Sequence, residues 1–349
     1  MRDLPCGIHR IYLEFEVRRV HCRKCGVVKR ETLEWLAKNT KFTKRFAYTI
    51  GKRCQTSTIS DAAQEYKLDW KTVKDLEKQY MTEKLRRAGK AKPNIIGIDE
   101  ISVRKGHKYR IVVSDLERKR PIWFGGTDRS EESMKLFYEW LGPKKCVKIR
   151  LAVMDMWRAF EKSARTNIPQ AAILYDKFHV LRQLNEAIDG IRRSEYVRLS
   201  DEDRKYVKGQ KYNLLSHKAN LSLAGKQSLK ALLKVNKRLN TAYVLKESFE
   251  QLWSYRYEAC ARKFFENWRD SLKGQDLKPY ERFADIIDRH WDGIAAFCKP
   301  ENKVSLGFVE GMNNKIRVIQ RRAYGLRDEE YLRLKVLTCS LPDFNCTDY

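Results

Sequence analysis

Asp99, Asp155 and Glu310 are the residues whose surroundings promise chemistry. Asp99 lies inside the apolar run Ile95-Ile96-Gly97-Ile98-Asp99-Glu100-Ile101, and Asp155 closes a second run from Val147 to Met154. Glu310 opens Glu310-Gly311-Met312-Asn313-Asn314-Lys315-Ile316-Arg317, which reads as a helix. An acid at the end of a buried strand is costly to ionise, and a bound cation is a common remedy. Two acids on neighbouring strands and one on a helix would line a pocket with oxygen for Mg²⁺ or Mn²⁺. In-line displacement at a phosphodiester benefits from two such ions roughly 3.5–4 Å apart, one at the attacking and one at the leaving oxygen. Asp99, at mid-strand, is placed to bridge both, with Asp155 on one ion and Glu310 on the other. Asp176 and His179 follow a further strand and would line the same pocket. Their plainer readings are a helix cap and a packed core histidine.

At 100° per residue, Glu310, Asn314, Arg317 and Arg321 fall within about 40° of one line along their helix. Phe308, Met312, Ile316 and Ile319 gather opposite, so this apolar back should pack on the sheet. Lys315, Arg317, Arg321, Arg322 and Arg327, with no acid among residues 311–327, would then track a DNA backbone with strong salt dependence. A solvated charged face is the bland alternative.

The elements that must position these groups are legible in outline. Residues 1–40 are short and strand-like, with alternation along Ile11–Val17. Cys22-Arg23-Lys24-Cys25-Gly26 is a knuckle of the kind that presents two thiolates to Zn²⁺. Only Cys6, His9 and His21 stand near enough to complete four ligands, so the zinc signal is half a site. Residues 41–85 read as short helices. Thr58–Tyr66 is a compact helix, Lys67-Leu68-Asp69 a turn, and Trp70 opens a helix with Val73, Leu76 and Tyr80 facing inward. In a helix-turn-helix, Lys71, Thr72 and Lys74 at the start of that second helix would enter the major groove. A small helical bundle with a charged surface is the alternative.

After a linker at Arg86–Pro93 the composition turns to strands. Ile95–Ser102, Tyr109–Ser114 and Pro121–Phe124 are three strands in a meander. Helix Glu131–Leu141, strand Val147–Met154, helix Trp157–Ala164 and strand Ala171–Tyr175 follow. That order predicts an α/β ribonuclease-H-like core, a mixed sheet flanked by helices, with a first part at 94–180 and a last part at 301–340. Between them, residues 181–300 read as all-helical. There Phe249, Trp253, Tyr257, Cys260, Phe264 and Trp268 step by three or four as one buried stripe.

The 349-residue chain has 72 Lys and Arg against 45 Asp and Glu, a formal charge of +27. Such an excess calls for a polyanionic partner. A metal pocket within it points to a nucleic-acid phosphodiester as substrate, which the resemblance below narrows to double-stranded DNA. Nine cysteines, scattered mostly singly, suit a reducing cytoplasm better than a disulfide scaffold. No signal-peptide core or membrane-spanning apolar run is present, so a cytoplasmic, nucleoid-associated protein is expected.

The segments around Asp99, Asp155, Tyr175-Asp176-Lys177-Phe178-His179-Val180 and Val309–Arg317 occur in the order seen in DDE transposases. With the tail Arg321-Arg322-Ala323-Tyr324-Gly325-Leu326-Arg327, the chain closely resembles bacterial insertion-sequence transposases of the ISL-three type. The resemblance runs from about residue 3 to 338. It implies an N-terminal zinc ribbon, a helix-turn-helix that binds the element's terminal inverted repeats, and a catalytic core interrupted by a helical insertion. It also implies Asp99, Asp155 and Glu310 as the catalytic triad, target DNA as second substrate, and a homodimer or larger assembly joining two DNA ends. The family's ribbon normally opens with an earlier CxxC, and Cys22 and Cys25 match its second pair only. A shortened start, or a divergent site using Cys6 or His9, would explain that departure. A non-catalytic DNA-binding regulator and a nuclease of branched or hybrid nucleic acid are the rival functions.

Overall fold

The computed structural model describes residues 1–344 apart from 105–107, 199–200, 306 and 324–325. Tyr324 and Gly325 of the basic tail therefore lie outside the described residues.

The N-terminal segment keeps its alternation in burial, but Ile11–Val17 forms no strand; Tyr12 makes an isolated bridge to Arg2. The first ladder joins β1 (Arg19–His21) to β2 (Val28–Arg30), antiparallel. Cys22 to Gly26 form the turn between them, with Gly26 at φ 67°, a conformation that favours glycine.

Three helices follow, Lys44–Arg53, Ile59–Tyr66 and Trp70–Arg87. Thr58 accepts the N–H of Asp61, whose carboxylate returns to the N–H of Thr58, a reciprocal cap that fixes where the middle helix begins. Lys67 ends it in the left-handed conformation, and Asp69 caps the third helix by accepting the N–H of Lys71. The chain thus turns sharply into Trp70–Arg87, the helix expected to enter the major groove, which we name the recognition helix for that expectation. Val73, Leu76 and Tyr80 are fully buried, as their spacing predicts. A Cβ on Gly51 would sit 2.3 Å from Cβ of Tyr80, so the first helix needs glycine where it crosses the third.

The main sheet contains β3 (Ile95–Arg104), β4 (Lys108–Asp115), β5 (Arg120–Gly125), β6 (Leu151–Met154) and β7 (Ala172–Tyr175), in the order β5-β4-β3-β6-β7. The meander β3-β4-β5 is antiparallel, whereas β6 and β7 run parallel to β3. The strand expected from Val147 starts only at Leu151. Pro143–Cys146 instead makes a short helical turn and Val147 is exposed. Helices Glu131–Leu141 and Arg158–Asn167 cover one face, over Ile96, Ile98, Ala152 and Met154. Because side chains alternate along a strand, Ile95, Gly97, Asp99 and Ile101 turn to the other face. Helix Gly307–Arg322, the Glu310 helix, packs there through Val309, Met312 and Ile316, followed by the C-terminal helix Glu329–Thr338.

Between β7 and the Glu310 helix the described secondary structure is helical. The single stripe expected there is broken. A 3₁₀ segment, Glu250–Ser254, shifts the phase, so Tyr257 is 74% exposed and Cys260 is exposed too. Ala261, Phe265 and Trp268 carry the buried face of the next helix, Glu258–Asp270.

Candidate active site

Strand register brings the acids together. Gly97 pairs with Val153 and Met154 with Tyr175. Carrying both registers forward sets Asp99, Asp155 and Asp176 level across three adjacent parallel strands. By alternation all three share the face on which Val153, Leu174 and Val309 pack together. Parallel sheets commonly place their functional groups at this carboxyl end.

Each acid accepts a backbone N–H from just beyond it. Oδ1 of Asp99 takes that of Glu100 at 2.8 Å, Oδ1 of Asp155 that of Met156 at 2.6 Å, and Oδ1 of Asp176 that of Phe178 at 2.9 Å. His179 Nδ1 lies 3.3 Å from Oδ2 of Asp155. Asp99 is also held by Asn313, whose Nδ2 donates to its Oδ2. Burial pushes the Asp99 carboxyl up to about 6, opposed by the charge of His179 and the N–H of Glu100, with the charge of Glu100 adding to the rise. Burial also raises Asp176, reinforced by the charges of Glu310 and Asp155 and offset by Phe178 N–H and His179. The charges of Glu310 and Asp155 thus both act on Asp176, and His179, in contact with Asp155, draws on Asp99 and Asp176 by its charge.

Glu310 is exposed, on the outer line of its helix with Asn314, Arg317 and Arg321, while Met312 and Ile316 are buried. Lys315 donates to the carbonyl of Cys339, Arg317 to Asn314 and Arg322 to the carbonyl of Gln55. The end of this helix therefore touches the helix-turn-helix. A Cβ on Gly97 would lie 2.8 Å from Val309 Cγ2, so glycine lets the helix come close beside Asp99.

Two groups near the site went unnoticed in sequence. Asn313 is buried against Asp99 but stands next to Asn314, which lies on the charged line. Arg129 pairs with Glu100 at 3.2 Å and stacks over Tyr109 and Trp157; a lone loop arginine gives no periodic signal.

On the recognition helix Trp70 and Lys71 are exposed and Thr72 is half-buried. Lys74 turns to the C-terminal helix, where its Nζ lies 2.7 Å from Oδ2 of Asp328, an oxygen shared with Lys78 at 2.8 Å. The next turn buries Glu77, which pairs with Lys335 at 2.6 Å and accepts the hydroxyl of Tyr331.

Cys22 and Cys25 lie close enough for Cys25 to lower the Cys22 thiol through a hydrogen bond. Cys6 and His9 form a separate exposed turn. Among the described residues no three His, Cys, Asp or Glu side chains close into a metal-holding group. Among those residues the knuckle thus has no third ligand beside it, and Glu310, exposed on its helix, does not close on one point with Asp99 and Asp155. The acids nonetheless fit a hard cation: they offer carboxylate oxygens, and burial opposes the ionisation of Asp99 and Asp176.

Comparison with known proteins places this architecture. Residues 96–336 match a family described as transposase, and residues 31–81 match the helix-turn-helix domain of transposase family ISL3. The transposase for insertion sequence element IS1001 of Bordetella parapertussis is 34% identical over 339 residues, covering 96% of this chain and 83% of that protein. The transposase for IS1557 of Mycobacterium tuberculosis is 25% identical over 356 residues, 95% of this chain and 79% of its own length. The chain belongs to the ISL3 family of transposases. Among the described residues no helix is long and apolar enough to cross a membrane.

Proposed function

We propose that the protein is a DDE transposase with a ribonuclease-H-like core. It binds the terminal inverted repeats of its element, cleaves at their ends and transfers the freed strand to target DNA. Asp99, Asp155 and Glu310 would hold Mg²⁺ or Mn²⁺, with Asp176 and His179 as accessory groups. The observation that carries this reading is the register that levels Asp99 with Asp155 on the face covered by the Glu310 helix. When bound, the metal would activate the attacking oxygen and stabilise the leaving one. The chain's part is to gather the carboxylates. His179 orients Asp155, and Arg317 and Arg321 face the outer line beside Glu310 to meet phosphate. Lys71 and Thr72 lead the recognition helix toward DNA. Joining two ends asks for a homodimer or larger assembly.

The test is cleavage of a labelled duplex ending in the element's flanking repeat, with Mg²⁺, Mn²⁺ or chelator, by wild type and Glu310→Gln. Metal-dependent nicking at the repeat boundary that the variant loses is the expected result. Specific binding with no nicking would place the protein among non-catalytic DNA-binding regulators.

A further inference from the structure

Asn313 sits one helical turn beyond Glu310 and is 8% exposed. Its helix runs beside β3 in the same sense. Val309 packs on Gly97, Asn313 reaches Asp99, and Ile316 joins the cluster of Ile101. Two residues of strand advance about 6.8 Å and four of helix about 6 Å, so strand and helix stay in step through the site. Among the described residues the hydrogen-bond donors to Asp99 are the Glu100 N–H, on Oδ1, and the Asn313 amide, on Oδ2. Together they fix both the rotation and the tilt of the carboxylate.

The residue type matters. A lysine or arginine here would orient Asp99 equally well but neutralise it, as Lys335 does for Glu77. A carboxamide donates without charge, leaving the negative charge of Asp99 for a cation. We propose that Asn313 is a positioning residue that holds Asp99 for divalent metal and locks the spacing between Asp99 and Glu310. This rests on the reading of Asp99 as a metal-holding carboxylate.

The measurement is titration of the full-length protein with Mn²⁺, followed by electron paramagnetic resonance, for wild type, Asn313→Ala, Asn313→Gln and Asp99→Ala. Unfolding midpoints establish that each variant is folded. Outer-shell partners of metal ligands typically contribute about 10–100-fold in affinity. Asn313→Ala should weaken Mn²⁺ binding by about tenfold or more on that scale, and Asn313→Gln, which keeps the donor, should recover part of the loss. Affinity for repeat-ended duplex in chelator should stay unchanged. Mn²⁺ affinity in Asn313→Ala equal to wild type would overturn the proposal, as would equal losses in the Ala and Gln variants. Unchanged binding in Asp99→Ala would instead remove Asp99 as a metal holder, and the role of Asn313 with it.

Discussion

Glu77 and Asp99 are both carboxylates taken out of water, at 1% and 7% exposure, and they are held in opposite ways. Glu77, on the recognition helix, meets Lys335 and the hydroxyl of Tyr331, so its charge is matched inside the protein. Asp99 meets a backbone N–H and a neutral amide, with Glu100 adding a repelling charge and His179 as its attractive neighbour. A buried ion pair joins two parts of a structure, whereas a buried acid oriented by neutral donors carries charge that no hydrogen-bonded cation matches. Burial alone therefore does not mark a site; the charge of the partners does.

Exchanging each acid for its amide should separate the two roles most widely. Asp99→Asn should lose several kcal/mol of transition-state stabilisation, on the order of a thousandfold or more in nicking rate. Glu77→Gln should retain nicking within about tenfold on the same scale. Single-turnover cleavage of a repeat-ended duplex checks both, and equal losses would erase the distinction.

Stability should show the reverse order. Removing one partner of a buried pair costs about 3 kcal/mol or more, so Glu77→Ala should lose about that much in denaturant unfolding, and Asp99→Asn should lose none. The pH dependence sharpens this. The fold raises Asp99 from 3.8 to about 6, favouring its protonated form. Its contribution is full below about pH 4 and is lost as pH rises through about 6, at most about 3 kcal/mol. In metal-free protein the difference between wild type and Asp99→Asn should follow that window, and a flat difference would reject the burial of Asp99.

Smaller effects test the neighbours. Gly97→Ala should cost about 1–3 kcal/mol by overpacking against Val309 and Leu116, with a larger loss of nicking than of stability as the Glu310 helix moves off. Asp328→Asn keeps the cap on the C-terminal helix but releases Lys74 and Lys78. Duplex affinity should rise modestly, and the salt slope should steepen by about one to two. An unchanged slope would mean that neither lysine reaches phosphate.

Much of this was legible because an acid that interrupts or closes an apolar run, as Asp99 and Asp155 do, is rare without a reason. The meander, the helix Glu131–Leu141 and the inward positions Val73, Leu76 and Tyr80 followed from periodicity alone. Asp176 needed more, since its level with Asp155 depends on strand pairing that no local pattern carries. Asn313 was hidden by Asn314, one residue away on the charged line. The contact of the recognition helix with the C-terminal helix was invisible for a different reason. Its inner face there carries Glu77 and Lys84 beside Met81, and charged residues read as solvent-facing until a partner is seen.

That contact bears on how such proteins diversify. The recognition helix lends one side to its own helix-turn-helix and the other to the chain's last described helix, about 250 residues away in sequence. A reading head attached in this way is not a detachable cartridge. Grafting a foreign helix-turn-helix onto this chain would strand Lys335 and Asp328 without their counterparts, so an exchange of that domain must either keep Lys74, Lys78 and Glu77 or alter Asp328 and Lys335 together with them.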